Sequence, residues 1–203
     1  MRGIEQVPWI YDALCHLCER GGFGRWRQWL AGGARGRTLD LGCGTGRNLP
    51  LLPPGTRTVA LDPSPEALAR ARRRAPTVPL VQGRAEALPF RDGAFDTILS
   101  GLVFCSVGEP SRGLMEVRRV LRPDGKFRML EHVRATTPWH ARVQDVLQPA
   151  WTWIAGGCHP NRNTEATVAR AGFRIDERHA KGTMRRLRAH PAVAGQSPAR
   201  MNG

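Results

Sequence analysis

Short apolar segments alternate with helix-forming segments along most of the chain. One helix is expected to start at Ser64-Pro65, because serine can cap a helix and proline fits the first helical position. Another is expected from about Ser111 to Leu121. Strands separated by helices are typical of a parallel sheet with crossover connections, so we predict an α/β fold of the doubly wound type. The five segments with the length and composition of strands are 37–41, 57–61, 78–82, 95–101 and 126–133.

The C-terminal third predicts two further helices and two further strands. A turn at Arg122-Pro123-Asp124-Gly125 should end the helix before it. A long helix should begin near Pro138 and be kinked or split by Pro149. A shorter helix is expected over Thr164–Ala171, before strands at 173–180 and near 187–194. The apolar residues of the long helix recur at helical spacing: Trp139, Val143, Val146, Leu147, Ala150, Trp151 and Ile154.

The strongest functional signal is the glycine-rich segment Leu39–Gly46, which reads LDLGCGTG. Asp40 ends the first predicted strand, and three glycines shape the turn after it, because glycine lets the backbone approach a ligand closely. Asp62 ends the second predicted strand, in VALDPS. A carboxylate at that position can accept hydrogen bonds from both ribose hydroxyls of a nucleoside. These residues predict a nucleoside-containing ligand at the ends of the first two strands.

Two classes of ligand fit a strand, a glycine-rich turn and a later acid. A dinucleotide site uses GxGxxG and places pyrophosphate at a helix N-terminus, whereas this chain has GxGxG with Asp40 just before it. A carboxylate there would repel pyrophosphate but suits a cationic ligand with an amino-acid ammonium group. This favours S-adenosylmethionine over NAD, although a lone glycine-rich turn also occurs as a purely structural feature.

Four motifs, DLGCGTG, LDPS, LPFRDGAFD and VRRVLRPDGKF, follow one another within about residues 35–133. In their order and spacing the chain resembles the class I S-adenosylmethionine-dependent methyltransferases. The resemblance implies a Rossmann-like, seven-stranded, mostly parallel sheet with the last strand antiparallel and helices on its flanks. It also implies S-adenosylmethionine as the cofactor, bound by Asp40, Gly42, Cys43, Gly44, Asp62, Pro63, Arg84, Ala85, Glu86, Ser100 and Gly101.

One position departs from the pattern of this family. The family often has Gly-Asp-Ala after the third strand, where the acid accepts a hydrogen bond from the adenine amino group, but this chain reads Gly83-Arg84-Ala85-Glu86. Arginine has no acceptor atom, so we expect Arg84 to turn outward. Glu86 or a backbone carbonyl would then accept the hydrogen bond from the adenine amino group. The alternative is that backbone contacts and stacking hold the adenine.

Motifs in the C-terminal half narrow the resemblance. They are CSV at 105–107, LEHV at 130–133, QDVLQPAW at 144–151, GGC at 156–158 and AGF at 171–173. This series resembles the methyltransferase-like thiol S-methyltransferases and their bacterial relatives, some known as phospholipid or quinone methyltransferases. Two departures stand out. The animal members carry an N-terminal membrane-anchoring stretch that the first residues here do not resemble, and their acid before Gly-Cys is Gly156 in this chain.

Cys158 and His159 are neighbours with several interpretations. Together with Cys15 and Cys18 of CHLC they would make four zinc ligands, but a single CxxC is a weak signal, so we predict no metal. A covalent nucleophile is not expected, because methyl transfer from a sulfonium needs no enzyme intermediate. We predict instead that the pair forms a wall of the acceptor pocket, with Arg162 pointing inward. A loop with a buried free cysteine is the alternative.

The acceptor side needs alignment and an unprotonated nucleophile. Ser100, Cys105, Glu131 and His132 lie at predicted strand ends, where doubly wound sheets bind ligands. His132 is our candidate for a base or an orienting group, and a core histidine with satisfied hydrogen bonds is the alternative. A thiol, with a pKa of ~8.5, needs less help from a base than a phenol-like hydroxyl. We therefore expect a small-molecule acceptor, a thiol first and a lipid headgroup or quinone second.

The net charge of +14, from 31 basic and 17 acidic residues, favours acidic partners such as nucleic acid, anionic lipid or anionic small molecules. No RNA-binding motif accompanies the charge, so a nucleic-acid-binding module or an RNA methyltransferase is less favoured. Trp139, Trp151 and Trp153 beside a basic surface predict peripheral contact with an anionic membrane. Core packing would explain Trp139 and Trp151 equally well. The sequence leaves the oligomeric state open.

The length of 203 residues predicts a single methyltransferase domain over 1–203. We divide it into an N-terminal helical cap (1–34), a cofactor-binding core (35–135), and a part with the substrate-side helices, last strands and a basic tail (136–203). The sequence contains no run of 18 apolar residues, so we predict no membrane span. The first residues, MRGIEQVPWIYD, lack the apolar centre of a signal peptide. Five cysteines without a disulfide-like framework predict a cytoplasmic protein.

Overall fold

The computed structural model describes residues 23–154 and 157–192. Its five helices are α1 (Gly24–Gly32), α2 (Pro65–Arg74), α3 (Pro110–Val120), α4 (Pro138–Ile154) and α5 (Thr164–Arg170), with a short 3-10 helix at Leu49–Leu51. Its seven strands are β1 (Arg37–Leu41), β2 (Arg57–Asp62), β3 (Leu80–Gln82), β4 (Phe95–Gly101), β5 (Leu121–His132), β6 (Phe173–Lys181) and β7 (Met184–Pro191).

The seven strands form one sheet in the order β3-β2-β1-β4-β5-β7-β6. The pairs among β1 to β5 are parallel, and β7 runs antiparallel to both β5 and β6. The strand order reverses between β1 and β4, so a crevice is expected outside their carboxyl ends, where doubly wound sheets bind ligands. The predicted doubly wound, seven-stranded, mostly parallel fold is confirmed.

Alternate residues of the central strands pack against helices on opposite faces of the sheet. Ile98 of β4 and Met129 of β5 join the core cluster that α3 and α5 cover. Their neighbours Leu99 and Leu130 are fully buried against Leu30 of α1 on the other face. The central strands are therefore apolar on both faces, which is the burial that a parallel sheet with helices on each side requires.

The predicted boundaries of β1 and β4 are confirmed, and most others shift by one to three residues. Ser64 caps α2 as expected, because its side-chain oxygen accepts a hydrogen bond from the backbone N–H of Ala67 at 3.1 Å. The last strand was predicted too late, since β7 starts at Met184. The predicted turn at 122–125 is an irregularity inside β5, where the register against β4 shifts between Phe95 and Thr97.

The long helix α4 spans Pro138–Ile154, and its apolar side chains are not placed as core packing would require. It continues through Pro149, so the proline does not split it. Its large apolar side chains do not enter the core: Trp139 is 62% exposed and Trp151 is 43% exposed. The core-packing interpretation of these tryptophans is therefore wrong. No helix among the described residues combines the length and apolar character needed to cross a membrane.

Several basic residues near the C-terminus lie in strands β6 and β7 of the sheet. Arg178 of β6 and Arg185 of β7 both bond Glu165 of α5, at 3.1 Å and 2.9 Å. Arg188 of β7 lies 3.6 Å from Glu177 of β6. Part of what the sequence predicted as a basic tail is thus paired with acids of neighbouring elements. The N-terminal cap is described only from residue 23, so the CHLC segment lies outside the described residues.

Candidate active site

The glycine-rich turn follows β1 with three glycines in the left-handed region: Gly42 (φ 63°), Gly44 (φ 53°) and Gly46 (φ 79°). A Cβ atom on Gly42 would lie 2.4 Å from Cγ2 of Val103, so no side chain fits there. A Cβ atom on Gly44 would meet nothing within 4 Å. The side chain of Val103 therefore fills the space beside Gly42, whereas the space beside Gly44 is open, as a ligand-binding turn requires.

Asp40 lies fully buried at the end of β1, with one of its two carboxylate oxygens unpartnered. Its Oδ1 accepts a hydrogen bond from Nδ2 of Asn48 at 2.8 Å, and Oδ1 of Asn48 accepts one from Arg27 of α1 at 2.8 Å. Burial raises the pKa of Asp40 to about 7, against the lowering effects of Asn48 and Arg27. A buried acceptor with no partner fits the ammonium group of an amino-acid ligand.

Asp62 lies at the end of β2, beside the turn. Its Oδ2 accepts a hydrogen bond from the backbone N–H of Gly44 at 2.8 Å, and its Oδ1 accepts one from Ser64 at 2.9 Å. Burial raises the pKa of Asp62, and these two N–H groups oppose that rise. Each carboxylate oxygen has capacity for one more hydrogen bond, so the carboxylate can accept ribose hydroxyls where it stands.

The end of β4 carries two further features of the crevice. Ser100 is fully buried with an unpartnered hydroxyl, one strand away from Asp40. Gly101 follows it, and then Leu102 adopts a left-handed conformation with φ 61°. Non-glycine residues rarely hold this conformation, and it is typical of backbone strained at functional sites. Ser100 is level with Leu41 in the register, so its side chain lies on the other face of the sheet from that of Asp40. The unpartnered oxygen of Asp40 and the open space beside Gly44 fit a polar ligand such as the implied cofactor.

The other predicted cofactor residues occupy different positions. Cys43 is buried in a cluster with Leu49 and Ala60, so only its backbone faces the turn. Arg84 is exposed, as expected for a side chain without an acceptor, and Pro63 is exposed as well. Ala85 is buried beneath this segment. Glu86 is half-buried and its Oε1 accepts from the backbone N–H of Glu109 at 3.4 Å, which leaves it acceptor capacity for adenine.

A buried carboxylate fixes the loop after β4. Glu131 of β5 accepts hydrogen bonds from three successive backbone N–H groups, those of Val103 at 2.8 Å, Phe104 at 2.9 Å and Cys105 at 3.2 Å. Burial raises the pKa of Glu131 to about 7, although the three N–H groups oppose the rise. Glu131 is therefore a structural anchor for residues 102–107, which we call the acceptor loop, rather than a free base.

Two thiols and a histidine lie together beside the acceptor loop. Cys105 and Cys158 are buried against each other. Cys105 first, and then His132 and Trp151, lie near the Cys158 sulfur and lower the pKa of this thiol, against the effect of burial. The pKa of Cys105 is raised because it donates to Cys158 and because burial and the charge of Glu131 disfavour its thiolate.

His132 takes part in this cluster from the end of β5. Its Nε2 lies 2.8 Å from the hydroxyl of Thr183, and its ring meets the edge of Trp151 with the centroids 6.3 Å apart. The ring is half-buried, so it is held in one orientation without being sealed in the core. Both predicted roles, base and orienting group, stay open for it.

The segment around His159 supports the acceptor loop. The backbone N–H of His159 donates to the carbonyl of Cys105 at 2.7 Å. Arg162 points inward and donates to the carbonyls of Phe104 at 2.8 Å and Val107 at 2.6 Å. No group of three or more metal-ligating side chains lies together among residues 23–154 and 157–192. The Cys158-His159 segment forms a wall next to the acceptor loop.

Arg27 and Asn48 complete the site but were not predicted. Asn48 directly follows the glycine-rich segment, so its position was a usable signal. Arg27 comes from α1, and nothing in the sequence separates it from the other arginines, because its burial arises only when α1 packs on the sheet. The left-handed Leu102 was also missed, since leucine gives no signal for that conformation.

A doubly wound sheet with a buried acid just before a glycine-rich turn, and a second acid at the end of the next strand, fits a protein that binds a nucleoside-containing ligand. Residues 39–129 match the family model for the methyltransferase domain. Human thiol S-methyltransferase TMT1A is 33% identical over 172 residues, which are 81% of this chain and 70% of the human protein. The demethylmenaquinone methyltransferase of Renibacterium salmoninarum is 35% identical over 82% of this chain and 73% of its own length.

The fold agrees with that of solved structures. An S-adenosylmethionine-dependent methyltransferase from Mesorhizobium loti superposes with a TM-score of 0.61 at 19% identity, covering 79% of this chain and 92% of that one. The chain belongs to the S-adenosylmethionine-dependent methyltransferases, and its cofactor is S-adenosylmethionine. The predicted family is confirmed. The individual site residues remain predictions, supported by the contacts described above.

Proposed function

We propose that this enzyme methylates the sulfur of a small thiol. The observation that carries the proposal is the cluster beside the acceptor loop, where the buried thiols of Cys105 and Cys158 contact each other and His132 lies next to them. The imidazole of His132 can donate a hydrogen bond to an acceptor thiolate beside this cluster. The similarity to human thiol S-methyltransferase TMT1A supports the same acceptor class.

The cofactor would be held by residues of the first two strands. Asp40 would pair with its ammonium group and Asp62 with its ribose hydroxyls, while the open space beside Gly44 would admit it close to the backbone. When bound, the cofactor supplies a methyl group on a positively charged sulfur. The acceptor loop lies against this turn through the contact of Val103 with Gly42, so the two halves of the reaction would meet there.

His132 would orient the acceptor more than it would deprotonate it. A thiol with a pKa of ~8.5 is partly ionised at neutral pH, so a base adds little to its reactivity. The hydrogen bond between Nε2 of His132 and Thr183 holds the ring in one orientation. The Glu131 carboxylate would keep the acceptor loop in place through its three N–H contacts.

The experiment is turnover of labelled S-adenosylmethionine with a panel of acceptors: 2-mercaptoethanol, a reduced menaquinone analogue and phosphatidylethanolamine. The S-methyl product of 2-mercaptoethanol should dominate, and its rate should rise with pH as the acceptor ionises. His132→Ala should reduce thiol methylation less than tenfold, because a thiolate needs little help from a base. Product from the quinol or the lipid amine, with none from thiols, would contradict the thiol assignment.

A quinol is the second candidate acceptor. The demethylmenaquinone methyltransferase of Renibacterium salmoninarum is as similar to this chain as the thiol enzyme is. A quinol reacts after its hydroxyl, with a pKa of ~10, has lost a proton. Methylation of a quinol would therefore depend on a base far more strongly than methylation of a thiol. His132→Ala would then abolish turnover, and this difference separates the two acceptor classes.

We also propose a cytoplasmic location. Cys43, Cys105 and Cys158, the cysteines within the described residues, are all free thiols. Free buried thiols are typical of proteins from reducing compartments.

A further inference from the structure

The helix α4 is attached to the rest of the protein by its polar side. Oε1 of Gln144 accepts a hydrogen bond from the backbone N–H of Ala135 at 2.7 Å, and Nε2 of Gln144 donates to the carbonyls of Val133 and Pro160. In the last turn of the helix, the hydroxyl of Thr152 donates to the carbonyl of Cys158 at 3.0 Å. These polar contacts orient the helix and fix which of its faces looks outward.

The outward face of α4 is a stripe of large apolar side chains. Its members are Trp139, Val143, Val146, Leu147 and Trp151, with exposed fractions of 62%, 43%, 74%, 59% and 43%. Their spacing of four, three, one and four residues places them on one face, over a length of roughly 18 Å. The only other large hydrophobic residues with comparable exposure in the described part of the chain are Leu51 and Met115. The sequence thus concentrates exposed apolar surface on this one helix.

We propose that this stripe docks α4 flat on the surface of an anionic lipid bilayer. A tryptophan near each end of the stripe suits the interface between headgroups and acyl chains. The net charge of +14 is complementary to anionic lipid and disfavours association with a second copy of this chain. Because the proposal concerns attachment alone, it holds whichever acceptor the enzyme methylates.

The charges on α4 agree with an anionic partner. Its single acid, Asp145, is bonded by both terminal nitrogens of Arg134, at 2.6 Å and 2.7 Å, and by Asn161 at 3.0 Å. Arg142 is exposed on the same helix, next to Val143. The acid is therefore neutralised, and the exposed arginine adds attraction to anionic headgroups.

Docking through this stripe would place the acceptor side of the active site next to the bilayer. Trp151 belongs to the stripe and its ring also meets His132 edge to face. A lipophilic acceptor dissolved in the membrane would then reach the site without crossing water.

The test is co-sedimentation of the full chain with vesicles of phosphatidylcholine and phosphatidylglycerol, mixed about 7:3, and with vesicles of phosphatidylcholine alone. The wild-type protein should bind the mixed vesicles at least fivefold better, and binding should weaken as salt is added. The double variant Val146→Ser/Leu147→Ser should lose at least four fifths of this binding. The matched control, Leu51→Ser/Met115→Ser, removes the comparably exposed side chains elsewhere and should bind like the wild type.

A variant that strengthens binding guards against loss through misfolding. Val146→Trp enlarges the apolar face at its most exposed position and should bind mixed vesicles more tightly than the wild type. Equal binding by the stripe variant and the control, or no vesicle binding by the wild type, would overturn the proposal. A dimer in analytical ultracentrifugation that Val146→Ser/Leu147→Ser dissolves would also overturn it, because the stripe would then contact a second copy. None of these readouts depends on methyl transfer.

Discussion

Asp40 is the residue whose protonation state the cofactor should control. In the structure its carboxyl is fully buried, its pKa is raised to about 7 by burial, and its Oδ2 has no partner. A ligand ammonium stabilises the ionised form only. The affinity for the ligand should therefore rise as pH increases through about 7 and level off above that value.

Calorimetry with S-adenosylhomocysteine checks this expectation. Wild-type affinity at pH 6 should be roughly tenfold below that at pH 8, since a group with a pKa near 7 is about one-tenth ionised at pH 6. Asp40→Asn should bind more weakly and lose the pH dependence, whereas Asp62→Asn should bind weakly and keep it. A flat profile in the wild-type protein would mean that Asp40 does not meet the ammonium group.

Gly42 and Gly44 should separate stability from ligand binding. Both are left-handed, so alanine at either position costs about 1 kcal/mol of backbone strain. Gly42→Ala should cost more, because its Cβ would also collide with Val103, whereas at Gly44 the space is open. Urea unfolding of the protein without ligand should thus rank Gly42→Ala as the less stable variant.

Binding of S-adenosylhomocysteine to the same two variants completes the comparison. Gly44→Ala should lose at least tenfold in affinity, because its methyl group fills the space predicted for the ligand, while its stability falls only by the backbone strain of about 1 kcal/mol. Unchanged affinity in Gly44→Ala would place the ligand elsewhere.

At the scale of single elements, the start of α2 depends on one side chain. The hydroxyl of Ser64 accepts from the N–H of Ala67, and Pro65 fits the first helical position. Ser64→Ala should lower the free energy of unfolding by about 1 kcal/mol in urea titration. Ser111→Ala, at an exposed serine in the first turn of α3 where no side chain caps the helix, should change it by less than about half of that amount. If Ser64→Ala and Ser111→Ala lowered the free energy of unfolding equally, the Ser64 cap would not be what stabilises the start of α2.

The element that departs most from sequence reasoning is α4. Helical spacing of its apolar residues predicted a helix correctly, but spacing does not say which face meets the protein. Gln144 and Thr152 decide this, because they bond the segments on either side of α4, at Val133 and Ala135 before it and at Cys158 and Pro160 after it. Only packing brings those partners together.

For the molecule as a whole, we predict that no structural metal is needed. Among the described residues no cluster of three or more potential ligands exists. Elemental analysis of the purified protein should find well below one zinc per chain, and a chelator should leave its thermal unfolding unchanged. About one zinc per chain would instead support a site made by Cys15, Cys18, Cys158 and His159.

The sequence by itself determined the sheet and the cofactor end of the site. The alternation of strands and helices, the turn LDLGCGTG and the acid of VALDPS are local signals, because backbone conformation and chain order suffice to place them. The structure accordingly has β1 and β4 where they were predicted, with Asp40, Gly44 and Asp62 at one crevice.

Only the tertiary structure decided the acceptor side. The contact of Cys105 with Cys158 and the three N–H groups gathered by Glu131 join residues separated by more than 20 positions. Their pKa shifts and exposures are properties of packing, and the periodicity of a sequence contains no information about them. The outward stripe of α4 has the same origin, since its side chains face solvent only because polar contacts hold the opposite face of the helix.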